Sequence, residues 1–364
     1  MPTTLRVVID QTSSGSDLAV ASVELARALI RTAPGGCEVD AIVPAGQDDL
    51  THVVPGLSSV RTAPLQRREL LAGWQLGVAP PVGGGLIHSA SLAAPLVRHD
   101  RINAGDQTTV TVWDLQAWET SGELHRSASA WQKGMMRRVV RHADAVVVPT
   151  YAIAERLAEE FALGDRIRVI PGALPHGFRL PPDADARRRD LILPARYIAV
   201  EGTPAPSDGL AAAFRAVAAN LVGDRQVVVF GVPVGDEARV TELAAAAGVP
   251  EARVHARPVL DVADRAAVLA GSEAFVTAVS RSAWPWRVLE AQRLGVPVVA
   301  ADTPVLTEVV GDGGIVAPAA ALGPALEEAL GERAAALRVL GQDHERAFTW
   351  DGAAERVWQL HAEL

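Results

Sequence analysis

Short runs of β-branched and other apolar residues alternate along the chain with longer segments in which apolar residues recur every three or four positions. In the first half, the short runs RVVID, VDAIVP, GLIHS, TVTVWD and AVVVP predict strands. The longer segments DLAVASVELARALIRT and SASAWQKGMMRRVVRHAD predict helices. Strands that alternate with helices indicate βαβ units, and therefore a parallel sheet.

The alternation stops at a proline-rich, charged stretch, PHGFRLPPDADARRRDLILP, and resumes after it. We predict a linker at residues 179–194. Beyond it, strands are predicted at Tyr197 to Val200 and in QVVVFG, RVHARPV, EAFVTAV, VPVVAAD and GGIVAP. The expected fold is α/β, with Rossmann-like domains at 1–178 and 195–349 separated by a cleft. Helix 350–364 is expected to pack back on the first domain.

Composition narrows the class of protein. A chain of 364 residues, 49% of them hydrophobic, has material for two packed cores. A net charge of −9 argues against a nucleic-acid binder, which needs a basic face. A polar start and the lack of a run of about 18 apolar residues favour a cytoplasmic protein.

Two residue types exclude several kinds of site. Lys133 is the only lysine among 34 basic residues, so Schiff-base or P-loop chemistry would depend on a lysine that has no supporting motif. Cys37 is the only cysteine, which excludes an internal disulfide and a thiolate metal cluster. The acidic residues at 183–185 are interpreted as a solvated charge run, and no metal site is predicted.

Longer segments carry a resemblance to a known family. GLIHSASLAAPLVR, TVTVWDLQAWE, RHADAVVVPTYAIAERLAE and DRIRVIPGALPHGF in the first half, and RYIAVEGTPAPSDGL and VLEAQRLGVPVVAADTPVLTEVVGDGGIVAP in the second, resemble GT-B glycosyltransferases of the retaining, family 4 kind. The resemblance implies GT-B architecture and sugar transfer from a nucleotide diphosphate donor to a glycan or lipid-linked acceptor in surface glycan synthesis. It implies no metal and no other cofactor.

The resemblance also indicates donor-binding residues, some of which depart from the family pattern. Members keep two glutamates with seven residues between them, the first for the donor sugar and the second for the ribose. Here the second is Glu290, but the first has become Ser282. Between them, Trp284 and Trp286 replace glycine-rich sequence, so they either stack on a ligand ring or plug the site.

The family's phosphate-binding Arg-Lys pair is replaced as well. The resemblance puts Ser207 and Asp208 at these positions, so a hydroxyl and an anion stand where a diphosphate needs cations. Arg281 and Arg287 are candidates to replace the lost clamp, the alternative being two solvated arginines. Thr303 completes the donor-side prediction.

The first domain supplies the remaining candidates. The resemblance makes Gly15 a candidate for a shifted substitute of a glycine in the family's first turn, where it would approach the donor. On the acceptor side, Trp113 and Asp114 stand where many members have a His-Asp pair. His88, at the end of a predicted strand, is either an acceptor contact or a structural hydrogen-bonding residue.

Two functional hypotheses remain open. The first is an active transferase with a remodelled donor site. The second is a non-catalytic relative that stabilises or regulates an active glycosyltransferase, and the altered phosphate residues favour it. The basic segment WQKGMMRRVVRH is either an ordinary exposed helix or a peripheral contact with the inner face of the membrane.

Overall fold

The computed structural model describes residues 2–12, 16–47, 50–78, 82–100, 105–221 and 223–364. The chain divides into two compact units. Unit 1 comprises Met1–His176, Ser282–Trp284 and Thr349–Leu364, and unit 2 comprises Gly177–Arg281 and Pro285–Phe348.

Unit 1 contains a parallel seven-stranded sheet of order β3-β2-β1-β4-β5-β6-β7. Its strands are β1 (Thr3–Val8), β2 (Cys37–Ala45), β3 (Ser59–Gln66), β4 (Leu86–Ser89), β5 (Gln107–Thr111), β6 (Ala145–Val148) and β7 (Ile167–Val169). Its helices are α1 (Asp17–Arg31), α2 (Leu50–Val53), α3 (Arg67–Leu76), α4 (Gln116–Glu119), α5 (Arg126–His142), α6 (Tyr151–Glu160) and α15 (Trp350–Glu363). Two 3₁₀ turns lie at Ser121–Glu123 and Gly164–Arg166.

Unit 2 contains a parallel six-stranded sheet of order β10-β9-β8-β11-β12-β13. Its strands are β8 (Tyr197–Glu201), β9 (Gln226–Phe230), β10 (Val254–Ala256), β11 (Phe275–Thr277), β12 (Val298–Ala301) and β13 (Gly314–Ala317). Its helices are α7 (Ala184–Asp190), α8 (Leu210–Ala218), α9 (Glu237–Ala246), α10 (Val262–Ala270), α11 (Trp286–Arg293), α12 (Pro304–Val310), α13 (Leu322–Leu330) and α14 (Ala334–Glu345). Its 3₁₀ turns are Pro206–Asp208, Glu251–Arg253, Gly311–Gly313 and Ala319–Ala321.

Helix capping and amphipathic faces explain the helices at the two ends of unit 1. The Ser16 side chain accepts from the Ala19 backbone N–H at the start of α1, and the Thr349 hydroxyl accepts from Gly352 at the start of α15. The two helices pack together, and the Trp358 indole donates to the Leu29 carbonyl at 3.1 Å. The last helix of the chain is therefore part of unit 1.

The predicted linker contains a helix. Prolines precede α7, which then packs against α10 in unit 2, where Arg187 pairs with Asp264 at 2.7 Å. Arg187 also pairs with Asp183 at 3.0 Å, so this acidic residue is held by a guanidinium. The segment therefore has ordered contacts within unit 2.

The prediction of two doubly wound parallel sheets is confirmed. Strand β3 was missed because most of its residues are exposed and it contains Pro64, features that suit the edge position it occupies. In α5, Arg137 and Arg141 are exposed while Met135 and Met136 are fully buried. Among the described residues, no helix has both the length and the apolarity needed to cross a membrane.

Candidate functional site

Two turns of unit 2 meet where β8 and β11 end. The Ser280 backbone N–H donates to the Ser207 carbonyl at 2.8 Å, which joins the turn after β11 to the turn after β8. Gly209 makes this approach possible, because it has φ of 69° and a Cβ there would lie 2.0 Å from the Ala278 carbonyl oxygen. Carboxyl ends of parallel strands are where open α/β sheets bind ligands.

Asp208 and Arg281 form an ion pair at this meeting point. The other carboxylate oxygen of Asp208 accepts the backbone N–H and the hydroxyl of Thr203, both at 2.7 Å. Arg281 also lies 3.5 Å from the Ser207 hydroxyl. The guanidinium therefore stands beside Ser207, but its charge is balanced by Asp208.

Glu290 lies in α11 and is almost completely buried, with 2% of its side chain exposed. Arg265 donates to both of its carboxylate oxygens at 2.7 Å, and Arg287 donates to one of them. Arg287 also lies 3.3 Å from the Glu201 carboxylate. Two arginines and two carboxylates thus neutralise one another inside unit 2, and the buried charges are paired as burial requires.

Ser282 and Trp284 belong to unit 1. The backbone N–H and the hydroxyl of Ser282 each donate to the Glu119 carboxylate at 2.7 Å, and Ala283 forms an antiparallel bridge with Asp114. Trp284 is buried, with its ring centroid 6.5 Å from that of Trp113. The segment is therefore bound within unit 1, where Trp284 packs in the interior.

A pocket lies in unit 1 near the carboxyl ends of β1, β4 and β5. Two of its lining residues are Trp113 and Asp114, which are acceptor-side candidates from the sequence. The Trp113 indole donates to the Ala90 carbonyl at 2.7 Å, and the Asp114 carboxylate accepts the Gln116 N–H at 3.0 Å. These bonds hold both side chains in place.

The same pocket contains an ion pair that the sequence analysis missed. Asp10, two residues after the end of β1, is 6% exposed and pairs with Arg67 at 2.8 Å. Burial raises the pKa of Asp10, and the charge of Arg67 and its hydrogen bond oppose the increase. An aspartate at the end of the strand in RVVID was the available signal, whereas Arg67 lies 57 residues away and gives none.

His88 lies in the interior of unit 1. Its Nδ1 atom is 2.7 Å from the Thr109 hydroxyl, which lies 3.2 Å from Nε2 of His361 in α15. Nδ1 of His361 is 2.8 Å from the Gln107 side-chain oxygen. Burial lowers the pKa of His88 to about 3 and that of His361 to about 4. The arrangement is that of two neutral imidazoles in a hydrogen-bonded chain.

The other predicted donor residues are placed as follows. Thr303 stands at the start of α12, and its buried hydroxyl has no hydrogen-bond partner among the described residues. Arg281, Arg287 and Glu290 all lie in unit 2. Gly15 lies outside the described residues. Within the described ranges, no group of three or more His, Cys, Asp or Glu side chains could hold a metal ion.

Family models match both halves of the chain. Residues 18–176 match the model for Glycosyltransferase Family 4, and residues 206–338 match the model for Glycosyl transferases group 1. No curated protein matches the chain significantly.

Solved structures share the fold along nearly the whole chain. Sucrose-phosphate synthase from Thermosynechococcus elongatus has a TM-score of 0.71 and 19% identity, covering 99% of this chain and 98% of that one. Anabaena HepE in complex with UDP-glucose has a TM-score of 0.68 and 14% identity, covering 99% and 100%. WaaG, a glycosyltransferase involved in lipopolysaccharide biosynthesis, has a TM-score of 0.63 and 14% identity, covering 98% and 99%.

Proposed function

The chain belongs to the GT-B glycosyltransferases, and on that premise we propose that it is a non-catalytic member of the retaining, family 4 type. The observation that carries the proposal is internal neutralisation on the donor side. Arg281 is paired with Asp208, while Arg265 and Arg287 are paired with Glu290. A pyrophosphate leaving group is stabilised by cations that are not already paired with carboxylates.

The state of Glu290 supports the same proposal. A carboxylate that holds ribose hydroxyls needs free acceptor positions for them, whereas three hydrogen bonds from arginines occupy most of the roughly four acceptor positions of Glu290. If Glu290 turned toward a ligand, a buried arginine would lose its carboxylate partner. Breaking a buried ion pair in this way costs a protein about 3–5 kcal/mol of stability. Binding a nucleotide-sugar donor through Glu290 would therefore break ion pairs that stabilise unit 2.

In this proposal the protein stabilises or regulates an active glycosyltransferase of surface glycan synthesis. The pocket around Asp10, Trp113 and Asp114 supports binding of a glycan or a lipid-linked acceptor, because it combines aromatic walls with polar groups. No metal or other cofactor takes part. The protein acts in the cytoplasm, with at most peripheral contact between α5 and the inner face of the membrane.

An active transferase with a remodelled donor site is the second candidate. One observation favours it, since Arg281 brings a guanidinium to Ser207, where the family resemblance puts a cation. In this case the substrates are a nucleotide diphosphate sugar, such as the UDP-glucose bound by HepE, and a glycan or lipid-linked acceptor. Arg281 would then leave Asp208 to assist the diphosphate leaving group.

Calorimetry and thermal unfolding with UDP, GDP and their sugars at millimolar concentration separate the two candidates. The non-catalytic protein gives no saturable heat and no rise in Tm, whereas a ligand at about a hundredfold over its Kd stabilises a protein by roughly 3 kcal/mol. Release of nucleoside diphosphate in an acceptor screen would overturn the proposal. An active GT-B enzyme serves as the positive control.

A series of reversions tests whether the altered residues at 207, 208 and 282 prevent nucleotide binding. Replacing Ser207→Arg, Asp208→Lys and Ser282→Glu together restores the family residues, and we expect nucleotide binding to emerge. A variant carrying only Ser282→Glu is the matched control, since it adds a carboxylate without any cation and should remain unable to bind.

A further inference from the structure

Asp208 is surrounded by hydrogen-bond donors from two turns of unit 2. Its carboxylate accepts the backbone N–H of Thr203, the hydroxyl of Thr203 and the guanidinium of Arg281, while only 6% of the side chain is exposed. A backbone amide, a hydroxyl and a guanidinium directed at one anion are groups that proteins use to bind phosphoryl oxygens. The set of donors is therefore that of an anion site.

We propose that Asp208 is a tethered anion that fills a phosphoryl-binding cradle formed by Thr203 and Arg281. The chain's own carboxylate thus occupies the place of a ligand phosphate and excludes a free one by charge and by volume. This inference rests on the proposed function and supplies a physical cause for it. It also predicts that the cradle accepts a phosphoryl anion once the carboxylate has been removed.

The backbone around the cradle is fixed independently of the carboxylate. Ser280 donates to the Ser207 carbonyl through both its backbone N–H, at 2.8 Å, and its hydroxyl, at 3.3 Å. Gly209 allows the close contact with Ala278 described above. Helix α8 begins at the next residue, and the positive end of its dipole favours an anion at this position. The donors should therefore stay in place in a variant without the carboxylate.

The direct experiment uses the full chain with Asp208→Ala and inorganic phosphate. Removing the carboxylate leaves Arg281 and Thr203 without their shared acceptor, so the variant unfolds at a lower temperature than the wild type. Phosphate should bind saturably in calorimetry and raise Tm with concentration, whereas chloride at equal ionic strength should not. Wild-type protein should show neither effect.

Two control variants separate phosphate binding in the cradle from the general effect of removing one negative charge. Asp224→Ala is the matched substitution, because Asp224 is an exposed partner of Arg196 elsewhere in unit 2, and phosphate should leave its Tm unchanged. Asp208→Ala combined with Arg281→Ala should lose the phosphate response. Equal responses in Asp208→Ala and Asp224→Ala, or phosphate binding by the wild type, would overturn the proposal.

A second variant covers the case in which Asp208→Ala does not fold alone. Asp208→Ser keeps an acceptor for Thr203 but removes the charge, and phosphate should raise its Tm as well. If Asp208→Ala is unfolded without ligand, phosphate should restore a cooperative unfolding transition. Failure of phosphate to stabilise either variant counts against the cradle.

Parallel titrations distinguish a free phosphate from the phosphoryl group of a larger ligand. UDP and GDP are compared with inorganic phosphate on Asp208→Ala. Tighter binding of a diphosphate, by tenfold or more, assigns the cradle to a nucleotide ligand, and equal affinity assigns it to the phosphoryl group alone. The proposed function fails separately, through nucleotide-sugar turnover by the wild type, which this series does not measure.

Discussion

The guanidinium of Arg265 donates to both carboxylate oxygens of Glu290 at 2.7 Å, inside unit 2. Arg287 donates to the same carboxylate from within α11 and also lies 3.3 Å from the Glu201 carboxylate, so two guanidinium groups and two carboxylates neutralise one another. The pairing makes Glu290 an element of the core of unit 2. Its substitution therefore has a consequence for stability that a solvent-exposed, ribose-binding glutamate would not show.

Glu290→Gln should destabilise the protein by about 3–5 kcal/mol, because it leaves the buried guanidinium of Arg265 without a carboxylate and leaves Arg287 with Glu201 alone. The free energy of unfolding is measured by urea denaturation with a probe for unit 2. Glu201→Gln is the matched control, since 36% of that side chain is exposed and its loss should cost much less. Equal effects of the two substitutions would show that the buried pairing does not stabilise unit 2.

The two buried histidines predict acid sensitivity of unit 1. Their folded pKa values of about 3 and about 4 lie below the ordinary value of 6.5, so the unfolded chain binds protons first as the pH falls. Stability is retained above pH 6.5 and is lost progressively below it, down to about pH 4 for the contribution of His361 and about pH 3 for that of His88. Linkage gives a loss of about 2 kcal/mol per histidine by pH 5.

Urea denaturation at a series of pH values from 7.5 to 4.5 measures this loss. His361→Gln removes one titrating ring and retains hydrogen-bonding capacity toward Thr109 and Gln107. The variant should be less stable at pH 7 but should lose less stability on acidification than the wild type. Parallel curves for the two proteins would contradict the assignment of the effect to His361.

Local sequence patterns predicted the sheets because each strand and helix is encoded within a short window, as in the β-branched residues of β6 and β9. The site could be predicted only in part. Arg281 and Asp208 are 73 residues apart, and no spacing rule indicates that one neutralises the other. The missing cations at 207 and 208 are visible in the sequence, and Arg281 is a candidate to replace them, but its ion pair with Asp208 is visible only in the structure.

Arg67 should stabilise the ionised form of Asp10. Burial already raises the pKa of this carboxyl, and Arg67→Gln removes the charge that opposes the increase, so the pKa should rise further. An unpaired buried carboxylate at pH 7 should cost about 1–3 kcal/mol of stability. Thermal unfolding at pH 7 and pH 4.5 checks this, because the cost should shrink where Asp10 is protonated.

Asp10→Asn in the Arg67→Gln background is the corresponding control. The neutral amide has no charge to desolvate, so the double variant should recover much of the stability lost in Arg67→Gln. A double variant that is less stable than both single variants would show that the ion pair is not the source of the effect.

Gly172 lies against the indole rings of Trp113 and Trp284 in unit 1. A Cβ at this position would lie 2.8 Å from the Trp113 ring and 3.1 Å from Nε1 of Trp284, distances at which the rings must move. Gly172→Ala should therefore destabilise the protein by about 1–3 kcal/mol through overpacking, as measured by thermal unfolding. Gly122→Ala is the control, because a Cβ there meets nothing within 4 Å.

A double-mutant cycle tests whether Trp284 causes the destabilisation expected for Gly172→Ala. Trp284→Leu alone removes buried aromatic surface and should destabilise unit 1, but it also makes room beside residue 172. Gly172→Ala should then cost less in the Trp284→Leu background than in the wild type, with a coupling energy of about 1 kcal/mol. Strict additivity would mean that the indole of Trp284 does not press on this backbone, and that the tryptophan fills its space without constraining the strand end that carries Trp113.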